Sequence, residues 1–105
     1  MFKIRDEAKK DLASFENSVA NKILDKIENY LGDEFKNEKV KVIRRPSYNA
    51  VFHRLKLVEN ELNHRVYFDY QNSEIQVFAV RHRDHAYTSE DMQKSIERLR
   101  KLQKE

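Results

Sequence analysis

Three runs of alternating or nearly continuous apolar residues occupy the second half of the chain. They cover residues 51–58, 64–70 and 74–81. The polar gaps between them are too short for a crossover helix, so the runs predict three consecutive antiparallel strands, a meander. Residues 2–5 alternate apolar and charged side chains and predict a short edge strand. Residues 40–43 indicate a brief extended piece.

Apolar residues at helical spacing precede and follow this meander. Residues 6–16 and 19–31 each carry an apolar stripe, which predicts two helices. Gly32 stands where a left-handed C-cap is wanted. A last helix is predicted to begin at Thr88 or Ser89, either of which can cap it.

These elements predict an α+β fold with a short N-terminal strand, a helical hairpin, a three-stranded antiparallel meander joined into one sheet, and a C-terminal helix. At 105 residues the chain has the size of one domain, so we expect a single domain over residues 1–105. It contains no cysteine, which fits a reducing compartment. The N-terminus lacks the apolar run of a signal peptide, and no run approaches about 18 apolar residues. We therefore expect a cytoplasmic protein without a membrane partner.

Side-chain parity separates polar from apolar residues on the first two strands. Arg54 and Lys56 project from one face, while the leucines at positions 55 and 57 project from the other. Arg65, Tyr67 and Asp69 likewise share one side of the second strand. The economical assignment places the leucines inward and the cations outward, in a compact triangle of Arg54, Lys56 and Arg65. The third strand is apolar on both sides, as expected for a strand that is covered on both faces or placed centrally, so parity does not assign its faces.

The distribution of charge is more informative than the net charge of +3. Six cations and no acidic residue lie between positions 39 and 58: Lys39, Lys41, Arg44, Arg45, Arg54 and Lys56. A cluster of unpaired cations attracts a polyanion because it releases counterions from phosphates. A solvated basic loop and a docking face for an acidic protein remain alternatives.

The meander also gathers all four histidines: His53, His64, His82 and His85. Imidazole transfers protons near neutral pH, guanidinium groups bind phosphoryl oxygens in pairs, and tyrosine stacks on bases. Cleavage of RNA by attack of the 2′-hydroxyl on phosphorus needs these groups. No Asp or Glu cluster joins His82 and His85 at metal-ligand spacing, and one glycine cannot make a phosphate-binding loop. We therefore expect no metal and no cofactor.

The end of the meander resembles a known family. The segment from His82 to Tyr87 reads HRDHAY, which is similar to the His-Arg-x-x-x-Tyr ending of the RelE-type mRNA interferases in the RelE/ParE toxin superfamily. The order of predicted elements resembles that family over nearly the whole chain. The resemblance implies a metal-independent endoribonuclease that cuts mRNA in the ribosomal A site. It also implies a toxin held inactive by an acidic antitoxin protein, through which it would oligomerise.

The resemblance also implies roles for individual residues. The family's basic pair falls on Arg54 and Lys56, its next-strand arginine on Arg65, and its late Arg and Tyr on Arg83 and Tyr87. The two arginines at 65 and 83 would bind phosphate, and Lys56 or Arg54 would move protons or stabilise charge. Tyr87 would stack on or orient a base.

One departure from the family leaves the proton carrier open. Arg54 stands where lysine is common, and arginine stays protonated. His85 is therefore added to the catalytic set, and His82 is the other possible acid or base. Arg81 is a second candidate for the late arginine. The expected RNA-binding residues are Lys39, Lys41, Arg44, Arg45, His53, Arg81 and His82.

Two other functions remain open at this level. A ParE-like toxin would use the same fold to inhibit DNA gyrase by binding it. A non-catalytic basic protein would instead dock an acidic partner. Both alternatives use the basic surface, but neither involves cleavage of RNA.

Overall fold

A computed structural model describes residues 2–32, 39–59 and 61–105. The strands are β1 Phe2–Ile4, β2 Val40–Arg45, β3 Ala50–Glu59, β4 Leu62–Gln71 and β5 Glu74–His82. The helices are α1 Asp6–Ala13, α2 Asn17–Leu31, α3 Arg83–Ala86 and α4 Ser89–Gln103. A 3-10 turn at Pro46–Tyr48 joins β2 to β3.

The strands form one mixed sheet in the order β1-β5-β4-β3-β2. The predicted meander is confirmed, because β3, β4 and β5 pair antiparallel in sequence order. The short N-terminal strand is confirmed too, and it pairs parallel with β5. The brief extended piece proves to be a six-residue edge strand, β2, paired antiparallel with β3. The described residues therefore form an α+β fold with five strands, where the sequence predicted four.

Both faces of the sheet are covered by helices. On one face, Leu55, Val66 and Val77 pack with the buried residues of α1 and α2. On the other face, Phe52 and Tyr67 pack with the buried residues of α4. The expectation that Tyr67 lies on an outward polar face is therefore wrong. The cation-bearing face of the meander carries a second core of its own.

A β-bulge lets β5 serve both cores. The register shifts between Tyr67 and Phe68, so that Tyr67 pairs with Ala79 and Phe68 with Val77. Phe78 is the extra residue, and it joins Ala79 in the cluster on the α4 side. One inserted residue puts two consecutive side chains on the same side, which parity alone does not allow. The expectation that β5 is covered on both faces is confirmed.

A two-residue turn with left-handed backbone angles connects β4 to β5. Its two connecting residues, Asn72 and Ser73, both have positive φ, at 53° and 62°. This backbone matches the twist of the flanking strands and sets their register. Gly32, by contrast, has φ −67°, so the predicted left-handed C-cap is wrong. A Cβ there would lie 2.4 Å from the carbonyl oxygen of Glu28, so the position needs glycine for close approach.

Helix α3 begins directly after β5, and α4 follows α3. The HRDHAY segment contains the four-residue helix α3. Thr88 caps α4 as predicted, since its Oγ1 accepts a hydrogen bond from the Asp91 amide at 3.2 Å. No helix in the described ranges has both the length and the apolar character needed to cross a membrane.

Asp11 ties α1, β5 and α4 together. Its carboxylate accepts the Val80 amide at 2.9 Å and is held by Arg98 Nη1 at 2.6 Å. Arg81 Nη1 reaches its other oxygen at 3.3 Å. The side chain of Asp11 is buried, so each lone pair needs a partner in the fold. Asp91 supplies a second carboxylate to Arg81.

We expect Asp11→Asn to lower the free energy of unfolding by about 3 kcal/mol, because removing one partner from a buried charge network leaves the other uncompensated. Urea denaturation measures this loss. The matched control is Glu97→Gln on α4, whose side chain is exposed. Equal unfolding midpoints for the two variants would show that the carboxylate of Asp11 does not tie the layers together.

Candidate nucleic-acid site

The strand register brings cations face to face. Lys41 pairs with Arg54, and Arg54 pairs with Tyr67. One rung further along, Lys56 pairs with Arg65, and Arg65 pairs with Arg81. Residues directly opposite each other share a face of the sheet. All five cations therefore project on the α4 side, as parity predicted for Arg54, Lys56 and Arg65.

Four of these cations have no acidic partner among the residues that the structure describes. Among the described residues, no ion pair involves Lys41, Arg54, Lys56 or Arg65. Like charges directly opposite each other destabilise a sheet, so the arrangement costs stability. An anion bound across these rungs would remove that repulsion.

Tyr87 joins two of the arginines. Its hydroxyl oxygen accepts hydrogen bonds from Arg54 Nη1 at 2.8 Å and from Arg65 Nε at 3.0 Å. The Arg65 guanidinium also lies 5.8 Å from the centroid of the Tyr87 ring. Partial burial raises the pKa of Tyr87, but the two arginine hydrogen bonds and charges outweigh it and leave the pKa below its ordinary value.

Arg65 is fixed on its other side by neighbouring residues. Its Nη1 donates to the Asn63 Oδ1 at 3.3 Å and to the His64 carbonyl at 3.1 Å. Below it, the hydroxyl of Tyr67 donates to the Ala86 carbonyl at 3.2 Å and thereby anchors α3 to the sheet. Burial raises the pKa of Tyr67, which keeps this hydroxyl protonated as a donor. These hydrogen bonds hold Arg65 and the end of α3 in fixed relative positions.

A groove runs beside these side chains at the β2 edge. It encloses about 320 Å³ and is lined by Lys39, Lys41, Arg54, Lys56 and Val58. We call it the cationic groove. A larger cavity of about 510 Å³ lies between α2 and the β3–β4 turn, where lysines mix with acidic residues such as Asp25 and Glu61. The charge of the cationic groove, rather than its size, marks it as the candidate site.

Some of the expected RNA-binding residues lie in or beside the groove. Lys41 faces it and is exposed. Lys39 lines it too, but its Nζ lies 3.2 Å from a Glu59 carboxylate oxygen. Hydrogen bonds from Tyr30 and Lys26 lower the pKa of Glu59 to about 2, so it remains an anion beside Lys39.

Other expected RNA-binding residues lie elsewhere. Arg45 has the parity of Lys41 but pairs with Ala50, at the far end of β2. Arg44 alternates to the opposite face. His53 also lies on that face, stacked on Phe68 with ring centroids 5.3 Å apart, and burial lowers its pKa.

Arg81 has a structural role that the sequence did not indicate. Its guanidinium is held between Asp91 and Asp11, so its charge is already balanced inside the fold. It shares the face of Arg65 but is not available to a phosphate in this arrangement. The assignment of Arg81 as an RNA-binding residue is therefore replaced by one as a bridge between α1, β5 and α4.

His82, Arg83 and His85 lie in or next to α3, and no hydrogen bond in the described part of the chain links their side chains to Tyr87. His82 pairs with His64, on the face opposite Arg65, and its Nδ1 accepts the Asp84 amide at 3.1 Å as the cap of α3. His85 is exposed, with its ring 6.4 Å from that of His82. Arg83 is an exposed first residue of α3, and no hydrogen bond or ion pair links it to another described residue.

Sequence reasoning missed two residues that position the site. Asn63 holds Arg65, and parity could have identified it because residues two apart on a strand share a face. Tyr67 anchors α3 by bonding to a residue 19 positions away in the chain. No local sequence signal indicates that bond.

No cluster of three or more His, Asp or Glu side chains in the described ranges is arranged to hold a metal ion. The site offers two guanidinium groups, two lysines and the Tyr87 hydroxyl, whose pKa is lowered by the two arginines. These groups suit the binding of a phosphate and the stabilisation of charge that develops on its oxygens.

No protein-family model matches this chain, and no curated protein matches it.

Proposed function

We propose that this protein is a metal-independent endoribonuclease that cuts mRNA, and that it is the toxin of a toxin–antitoxin pair with a RelE/ParE-like arrangement of strands and helices. One observation carries the proposal. Arg54 and Arg65 converge on the hydroxyl of Tyr87, with Lys41 and Lys56 beside them, and no described acidic residue pairs with any of the four cations.

The convergence fits the chemistry of the phosphate. In the transition state of RNA cleavage, negative charge is shared by the phosphoryl oxygens, and preorganised cations stabilise it. Arg65 is preorganised by Asn63 and the His64 carbonyl. Lys56 lies directly across the strand from Arg65 and is exposed, so it can reach a phosphate that Arg65 holds.

The reaction needs one proton removed and one returned. The 2′-oxygen bonds to phosphorus as the bond from phosphorus to the 5′-oxygen breaks, which yields a 2′,3′-cyclic phosphate and a 5′-hydroxyl. The proton lost by the 2′-hydroxyl is balanced by one gained at the 5′-oxygen. Lys56 is exposed beside Arg65 and is suited to one of these transfers, the donation of a proton to the departing 5′-oxygen.

The proposed partners follow from the same charges. An mRNA strand in the ribosomal A site would supply the phosphate, and cytoplasmic location follows from that substrate. An acidic antitoxin would compensate the four cations and block the cationic groove, and it would bring toxin copies together. The basic strand β2, with Lys41 and two arginines, favours an acidic partner at this edge.

We expect Lys56→Ala to lower the rate of mRNA cleavage about 10²-fold, because removal of one preorganised charge reduces transition-state stabilisation by that order. The rate is measured with purified protein, ribosomes and an mRNA whose new 5′ ends are mapped. Lys101→Ala is the matched control. Lys101 is an exposed lysine on α4 that pairs with Glu7, and its removal should leave the rate within the same order of magnitude.

Two outcomes would contradict the proposed ribonuclease activity. New 5′ ends that persist at the same rate in Lys56→Ala would remove this groove from the chemistry. The absence of new ends, together with tight binding of an acidic partner, would favour a non-catalytic basic protein.

The salt dependence of RNA binding provides a second prediction. For a single strand, the slope of log K against log salt concentration changes by about 0.7 for each phosphate that the protein no longer neutralises. We expect Lys41→Ala to reduce the slope by about that amount for binding of a 2′-O-methylated oligoribonucleotide, which cannot be cut by its own 2′-hydroxyl. The measurement is a fluorescence anisotropy titration at several salt concentrations.

Arg44→Ala is the control for this prediction. Arg44 lies further along the same strand but pairs with Val51 and points to the opposite face. Its removal takes away the same charge from the whole protein and should leave the slope unchanged. Equal changes in both variants would show that net charge, not the cationic groove, attracts the strand.

A further inference from the structure

Arg65 is covered by Tyr87. Only 4% of Arg65 is exposed, whereas 45% of Tyr87 is exposed. The Tyr87 ring lies over the Arg65 guanidinium and its hydroxyl takes the Nε donor. A phosphate that approaches from solvent therefore meets Tyr87 first and cannot reach the arginine beneath it.

The Tyr87 oxygen stands where an anion would fit better. Two guanidinium donors from adjacent strands point at this one neutral oxygen, at 2.8 and 3.0 Å. Hydrogen bonds between two charged partners are roughly twice as strong as those between neutral groups, and a phosphoryl oxygen would form them here. Nε of Arg54 is buried and has no hydrogen-bond partner among the described residues, so the same guanidinium can donate one more hydrogen bond to a bound phosphate.

We propose that the position of the Tyr87 hydroxyl oxygen is the subsite for one phosphoryl oxygen of the RNA, and that Tyr87 occupies it as an internal competitor until the strand displaces it. This inference rests on the proposed function and adds a regulatory element to the same site. Binding of the phosphate and uncovering of Arg65 are then one event.

The local structure allows the side chain to leave without unfolding its surroundings. Tyr87 lies between α3 and α4, and its hydroxyl bonds only the two arginines in the described structure. The flanking backbone is held independently, by the Tyr67 hydroxyl on Ala86 and by Thr88 as the cap of α4. Rotation of one side chain therefore exposes Arg65 while both helices stay in place.

The test compares Tyr87→Phe and Tyr87→Ala with the unaltered protein for binding of the 2′-O-methylated oligoribonucleotide. Tyr87→Phe removes the competing oxygen and keeps the ring, and we expect binding on the order of fivefold tighter because two charged donors are released. Tyr87→Ala also removes the cover over Arg65 and should bind at least as tightly as Tyr87→Phe. Circular dichroism checks that both variants fold. We expect both to fold because the Tyr87 side chain is exposed.

The inference depends on whether Tyr87→Phe strengthens or weakens binding of the RNA strand. Weaker or unchanged binding by Tyr87→Phe would overturn it, since the hydroxyl would then contribute to the strand's own contacts or to none. Failure of the proposed function looks different. If the unaltered protein and both variants bind no RNA strand at all, the ribonuclease proposal is contradicted as well. If the protein binds the strand and both Lys41→Ala and Tyr87→Phe weaken this binding, only the proposal that Tyr87 competes with the phosphate is contradicted.

Discussion

The pairing register of the meander is the constraint on which the rest depends. It places Lys41 opposite Arg54 and Lys56 opposite Arg65, with Arg81 next in the second rung. Because side chains alternate with a period of two, a slip of one residue would exchange the faces of these cations and of the leucines at positions 55 and 57. The two cores make such a slip costly, so the energy that buries the leucines also concentrates the positive charge.

Two neighbouring arginines of the second rung accommodate their like charges differently. Arg81 is neutralised within the fold by Asp91 and Asp11, and in return it ties α1 and α4 to β5. Within the described ranges, Arg65, its direct neighbour, donates only to neutral acceptors: a phenol, an amide oxygen and a carbonyl. A structural arginine and a candidate binding arginine thus lie side by side, and what distinguishes them is the presence of a carboxylate.

Much of this could be predicted from the sequence because strand periodicity is local. The shared face of Arg54, Lys56 and Arg65 follows from counting residues along two strands. The partners of Arg81 do not, since Asp11 lies 70 residues away and reaches it only after α1 packs on β5. Parity also gave no sign of the bulge at Phe78, or of α4 covering part of the cation-bearing face. The resemblance implied that Arg83 binds phosphate together with Arg65, whereas the short helix α3 leaves Arg83 exposed and apart from the Arg54–Arg65–Tyr87 contacts.

The most direct measurement is a crystal structure of the protein with the 2′-O-methylated oligoribonucleotide bound. The account predicts one phosphate of the strand between the Arg54 and Arg65 guanidinium groups, with Lys56 Nζ touching it and the Tyr87 side chain rotated away. A strand bound on the opposite face of β2, or a phosphate distant from both arginines, would contradict it.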